Sequence, residues 1–131
     1  MKQCRVLLVD DEIEFVTTLA ERLELRGFKP LVVHDGESAL RALADADSDP
    51  PFQAVLLDLR MPGMEGTEVL RRMDPGMRAR VVVLTGHGSE KERRECMDLG
   101  AADYLGKPAE LPELDAALRR AAGNGENGGG K

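Results

Sequence analysis

The chain has 131 residues, 42% hydrophobic and 32% charged, which suits one domain with a substantial core. Its formal net charge of -6 argues against nucleic acid or an anionic membrane as a direct partner. No apolar run approaches the roughly 20 residues of a membrane span and the N-terminus lacks a signal-peptide pattern, so the expected location is cytoplasmic.

Five apolar runs alternate with helix-like stretches. Arg5–Val9 reads as the first strand and runs into Asp10-Asp11. Ile13, Val16, Leu19, Ala20 and Leu23 then recur at helical spacing, with Gly27 as the stop. Leu31–Val33 is a short second strand, and Ala39, Leu40 and Leu43 mark the second helix. Asp45–Pro51 is a polar loop before the third strand, Ala54–Leu57, which ends on Asp58. Val69, Leu70 and Met73 mark a short third helix, stopped by Asp74-Pro75-Gly76. Val81–Leu84 is the fourth strand, followed by Thr85. Ser89 can cap the fourth helix, with Glu92 at the capping-box position. That helix has a weak apolar stripe (Cys96, Met97 and Leu99), so it should be the least firmly packed. Tyr104–Leu105 is the fifth strand, leading through Gly106 to Lys107-Pro108, an X-Pro bond that can be cis. Leu114, Ala117, Leu118 and Ala121 mark the fifth helix. Residues 123–131 carry five glycines and read as a disordered tail or linker stub, leaving 1–122 as the domain.

Strands that are nearly all apolar are covered on both faces, and strict strand–helix alternation gives an α/β fold with a mostly parallel sheet. Right-handed crossovers place helices on both sides. Ligands of such sheets bind beyond the carboxyl ends of the strands. Asp10, Asp11, Asp58, Thr85 and Lys107 all fall at or just past those ends, on four separate strands.

Each residue has an ordinary reading. Asp10-Asp11 alone suits a helix N-cap, Thr85 a turn, Lys107 a solvated surface charge. Together they suit a hard divalent cation held by oxygen ligands, with the lysine as a fixed counter-charge. The Pro62-Gly63 turn holds backbone carbonyls near Asp58, a source of one neutral ligand. An aspartate in such a place can attack phosphorus to give an acyl phosphate. Gly86 and Gly88 leave the loop after Thr85 free to carry its hydroxyl toward a phosphoryl oxygen. Cys4 and Cys96 are isolated thiols expected to be reduced, and His34 is an ordinary strand-end histidine.

The motifs Leu-Leu-Val-Asp-Asp-Glu at 7–12, Leu-Leu-Asp-Leu-Arg-Met-Pro-Gly-Met at 56–64, Val-Leu-Thr-Gly at 83–86 and Gly-Ala-Ala-Asp-Tyr-Leu-Gly-Lys-Pro at 100–108 resemble the receiver domain of bacterial two-component response regulators. The resemblance covers about residues 3–122. It implies a flavodoxin-like, doubly wound (βα)5 fold with a five-stranded parallel sheet in the order 2-1-3-4-5. It also implies that Asp58 accepts a phosphoryl group from a sensor histidine kinase or phosphotransfer protein. Asp10, Asp11, Asp58 and the Arg60 backbone carbonyl would hold Mg2+, with Mn2+ as a substitute. Lys107 would contact the phosphoryl group, Thr85 would be the switch hydroxyl, and Tyr104 the aromatic that turns inward with it. The fourth helix, last strand and fifth helix would form the output face, toward a downstream output domain or protein or a phosphorylation-dependent homodimer. Chemistry would be limited to self-phosphorylation and autodephosphorylation. Arg60 and His87, each two residues past a site residue, are expected to tune the acyl-phosphate lifetime, although the ordinary reading of His87 is an exposed loop residue. Gly106 departs mildly from the bulkier residue often found before the lysine.

Three other readings fit less well. A metal-dependent phosphohydrolase with an aspartyl nucleophile needs Asp-x-Asp after the first strand, whereas this pair is contiguous. A flavin carrier needs a hydroxyl-rich phosphate loop after the first strand and flanking aromatics. A phosphorylation-independent receiver-like interaction module would have no need of the five key residues, all of which are present.

Overall fold

The computed structural model describes residues 4–45, 52–86 and 88–128. The strands β1 (Cys4–Val9), β2 (Phe28–Val33), β3 (Ala54–Leu57), β4 (Val81–Thr85) and β5 (Asp103–Gly106) form one parallel sheet in the order β2-β1-β3-β4-β5. Around it lie α1 (Ile13–Glu24), α2 (Gly36–Ala44), α3 (Gly66–Arg72), α4 (Pro75–Arg78), α5 (Glu90–Asp98) and α6 (Leu111–Gly128). The expected order and alternation are both present.

The central strands bury both faces because side chains alternate along a strand. Val6, Leu8, Leu56, Val82 and Leu84 face Val16, Leu19 and Leu23 of α1 and Leu114, Ala117, Leu118 and Ala121 of α6. Leu7, Val9, Val55, Leu57, Val81 and Val83 face the opposite way, toward Ala39, Val69, Leu70 and Cys96. Aliphatic side chains make up most of both layers.

Beyond one-residue extensions at the ends of β1, β4 and β5, the structure differs from the sequence reading in three places. β2 begins at Phe28, three residues before the predicted start, and pairs with β1 along its whole length. Pro30 sits inside it, tolerated because β2 is an edge strand. The stop at Asp74-Pro75-Gly76 is itself a one-turn helix, α4: the Asp74 carboxylate accepts from the Met77 N–H at 2.9 Å, and Pro75 occupies the first turn, where no N–H is needed. Helical backbone in α6 continues past Ala122 to Gly128, and Asn124 Nδ2 donates to the Ala79 carbonyl at 3.0 Å. Residues 129–131 of the expected tail and 46–51 of the polar loop lie outside the described residues.

The weak stripe of the fourth predicted helix is visible in α5. Cys96 is its one fully buried residue, and Met97 is 37% exposed. Its N-terminus carries the predicted capping box: Ser89 accepts from the Glu92 N–H at 3.1 Å while Glu92 accepts from the Ser89 N–H at 3.4 Å. No described helix is long and apolar enough to cross a membrane.

Candidate functional site

The sheet register brings four strand ends together. The Asp58 N–H donates to the Val9 carbonyl at 2.9 Å, which sets Asp58 beside Asp10. The Lys107 N–H donates to the Thr85 carbonyl at 2.9 Å, which sets the lysine beside the threonine. Asp10 and Asp58 are each about 5% exposed and Thr85 1%; Asp11 is half-buried. One carboxylate oxygen from each of Asp10, Asp11 and Asp58 lies within 4.8 Å of the others.

Lys107 supplies the cation from just past β5. Its Nζ lies 3.0 Å from Asp10 Oδ2, 2.5 Å from Glu12 Oε1 and 3.7 Å from Asp58 Oδ2. Burial raises the Asp58 carboxyl above the ordinary carboxylate range. The Arg60 N–H, at 3.3 Å, works against this; repulsion from Asp10 and Asp11 adds to it, and attraction to Lys107 opposes it. Burial works against the Lys107 charge, but hydrogen bonds to Glu12 and Asp10 outweigh it and hold the ammonium above its ordinary value. One lysine thus faces a cluster with room for further positive charge.

Backbone constraints hold Asp58 in place. The Gly66 N–H donates to the Leu59 carbonyl at 3.0 Å, docking the start of α3 against the segment after Asp58. Gly63, at φ +82°, supplies the left-handed turn residue between them. Together with Asp11, Glu12, Arg60, Gly86 and Lys107, Asp58 lines an open cleft of about 300 Å3.

Thr85 and Tyr104 meet at Gly88. A Cβ built there would stand 1.6 Å from Tyr104 Oη and 2.8 Å from Thr85 Cγ2. Among the described residues both buried hydroxyls, Thr85 Oγ1 and Tyr104 Oη, are without a hydrogen-bond partner. Such groups carry a free-energy cost that an incoming acceptor can relieve. Burial, together with the nearby Glu92, raises the Tyr104 phenol above its ordinary value.

The Arg60 guanidinium does not stop at the cleft: it pairs with Glu92 of α5 at 3.1 Å. His87 lies outside the described residues. The Lys107–Pro108 bond is cis. Neither Cys4 nor Cys96 is in a disulfide among the described residues, and burial pushes the Cys96 thiol up to about 11, an unreactive setting.

Three neighbours of the site escaped the sequence reading. Glu12 and Phe15 both contact Lys107, the ring centre at 4.6 Å from Nζ. His34 places Nδ1 3.0 Å from the Asp10 carbonyl, in position to donate to it. The acidic triplet Asp10-Asp11-Glu12 was the available signal for Glu12; nothing local marks the other two.

The sequence profile of the response regulator receiver domain matches residues 6–119. The transcriptional regulatory protein CpxR of Escherichia coli (strain K12) is 41% identical over 115 residues, which are 88% of this chain and 47% of CpxR; the chain thus spans about half the length of this curated relative. A CheY-like response regulator receiver domain protein from Methanospirillum hungatei JF-1 superposes with a TM-score of 0.85 at 25% identity, covering 97% of this chain and 99% of that one. A response regulator protein from Burkholderia pseudomallei, solved with a phosphorylated aspartic acid, calcium ion and citrate, has a TM-score of 0.76 at 29% identity over 97% of this chain and 72% of its own. With the receiver profile matched across most of its length, the chain belongs to the receiver-domain family of response regulators.

Proposed function

We propose that Asp58 is the phosphoacceptor of a signalling switch. The observation that carries this reading is the placement of Asp58: buried, grouped with Asp10 and Asp11 within 4.8 Å, and approached by Lys107 at 3.7 Å. A sensor histidine kinase or phosphotransfer protein presents a phosphohistidine. The P–N bond breaks, an Asp58 oxygen bonds to phosphorus, and the histidine imidazole departs with a proton. Water later attacks phosphorus, which returns the Asp58 carboxylate and releases inorganic phosphate. The chemistry is self-modification and its reversal.

The donor set fits a divalent cation. Three clustered carboxylate oxygens, with one of them raised by burial and by its neighbours, suit a hard ion with oxygen ligands. Asp10, Asp11 and Asp58, with the Arg60 backbone carbonyl, would hold Mg2+, or Mn2+ in its place. A bound ion supplies charge neutralisation for the phosphoryl oxygens. Lys107 supplies the second positive charge, and Thr85 Oγ1 a donor without another partner among the described residues.

Phosphorylation adds about -1.5 to -2 charges and three strong acceptors. Thr85 and Lys107 turn toward those acceptors, and the Tyr104 ring, against Gly88, follows the Thr85 loop. The bistable element is α5, which buries one residue and is otherwise tied down by surface ion pairs, Arg60–Glu92 and Arg71–Glu95. Such pairs are worth little individually, so a small bias moves the helix. The face formed by α5, β5 and α6 carries the signal to a further output domain, a separate protein or a second copy. Residues 1–122 form the receiver unit.

Borohydride trapping tests the assignment. After incubation with acetyl phosphate and Mg2+, reduction converts an aspartyl phosphate to homoserine, and peptide mapping should place it at position 58. Homoserine at another aspartate, or at none, contradicts the proposal.

A further inference from the structure

Glu12 is the N-cap residue of α1, yet its side chain makes no capping bond. Its backbone N–H is held by Asp10 Oδ1 at 2.9 Å, and its carboxylate reaches Lys107. Of the contacts of Lys107 Nζ, the two short ones are to Asp10 and Glu12, both reached from the β1 side. The 3.7 Å separation from Asp58 is too long for a hydrogen bond. The Phe15 ring stands beside the same ammonium, the centroid 4.6 Å away, within cation–π range. Glu12 lies outside the group of three carboxylates suited to a metal, and the ion pair its carboxylate makes is with the lysine.

We infer that Glu12 is a positioning residue that, with the Phe15 ring, holds Lys107 in a resting berth away from the phosphoryl position and thereby sets how readily the site accepts a phosphoanion. The inference rests on the proposed phosphoacceptor role of Asp58. Acceptor oxygens on Asp58 draw Lys107 from the berth. Glu12 then loses its partner and faces a like charge. Replacing its carboxylate by an amide of the same shape removes both penalties, so the loaded state gains relative to the resting one. A merely structural glutamate has no such effect, and a general electrostatic one is shared by its exposed neighbour Glu14.

The test uses the whole chain with beryllofluoride as the phosphoryl probe at saturating Mg2+, followed by titration calorimetry. Mg2+ affinity is measured separately, so that a change in ion binding is not mistaken for a change in anion binding. Glu12→Gln should bind the probe tighter by roughly two- to fivefold, the range spanned by exposed ion pairs, and Glu14→Gln should match the wild type. In nitrogen-15 spectra of the lysine ammonium groups, the Lys107 signal, identified by its loss in Lys107→Arg, should be slowed in exchange in the wild type and lose that protection in Glu12→Gln. Unchanged or weaker binding in Glu12→Gln, or an equal gain in Glu14→Gln, overturns the inference. If the wild type itself fails to bind the probe, the phosphoacceptor reading fails instead. The ammonium signal then decides the berth alone: lost protection upholds it and retained protection overturns it.

Discussion

A Cβ on Gly66 would stand 2.6 Å from the backbone carbonyl oxygen of Asp58 and 2.7 Å from Leu59 Cα. Both are backbone atoms, so no rotamer change can make room. The start of α3 is thus seated directly against the segment that carries the proposed phosphoacceptor. Gly66→Ala should cost about 1–3 kcal/mol, the usual cost of overpacking, read as a lowered denaturation midpoint. It should also weaken Mg2+ binding, because Asp58 must shift. A midpoint equal to the wild type contradicts the close approach.

Asp58 is a destabilising residue when charged. Burial and the neighbouring carboxylates raise its folded-state value above the ordinary 3.8, so the folded chain holds the proton more readily than the unfolded one. Its contribution to stability is therefore greatest below 3.8 and is lost as pH rises through the higher folded value. At neutral pH, Asp58→Asn should raise the melting temperature by a few degrees, about the 2–8 °C that 1 kcal/mol represents in domains of this general size. That gain should shrink as the pH falls toward the acid end of this window. Thermal scans across pH check both points, and a variant less stable than the wild type at neutral pH contradicts them.

Tyr104 is the one tyrosine of a chain without tryptophan, so intrinsic fluorescence reports on it alone. Its hydroxyl occupies the space that a side chain at position 88 would need. Gly88→Ala should displace the ring and raise its quenching by acrylamide, at a stability cost of about 1 kcal/mol. Quenching equal to that of the wild type would place the ring elsewhere.

Arg60 sits between the cleft and α5 through its pairing with Glu92, which also closes the capping box with Ser89. Arg60→Ala should loosen the first turn of α5, seen as faster amide exchange from Glu90 to Arg93, and change the acyl-phosphate half-life. His87→Ala should change the half-life as well. Unchanged half-lives in both variants would remove the proposed tuning role.

The elements most legible in the sequence were those whose signal is local. Uninterrupted apolar runs marked β1, β3 and β4 because both faces of those strands are covered, and Ser89 with Glu92 marked the α5 cap because the motif spans four residues. Lys29 and Pro30 hide the start of β2 because they break its apolar pattern, which an edge strand tolerates. The α4 turn resembles a stop in sequence because a proline can open a helix as well as end one. In the site, Asp10, Asp58, Thr85 and Lys107 were legible through their common place at strand ends. The Glu12–Lys107 contact joins residues far apart in the chain, and the pairing of Phe15 with the same lysine depends on how α1 packs. Neither has a sequence period that would announce it.

The most direct measurement is the intact mass after incubation with acetyl phosphate, with and without Mg2+, for the wild type and Asp58→Asn. The account predicts a single phosphoryl adduct on the wild type that requires Mg2+ and is missing from the variant. An adduct of equal yield on Asp58→Asn, or one formed equally well without a divalent cation, would contradict it.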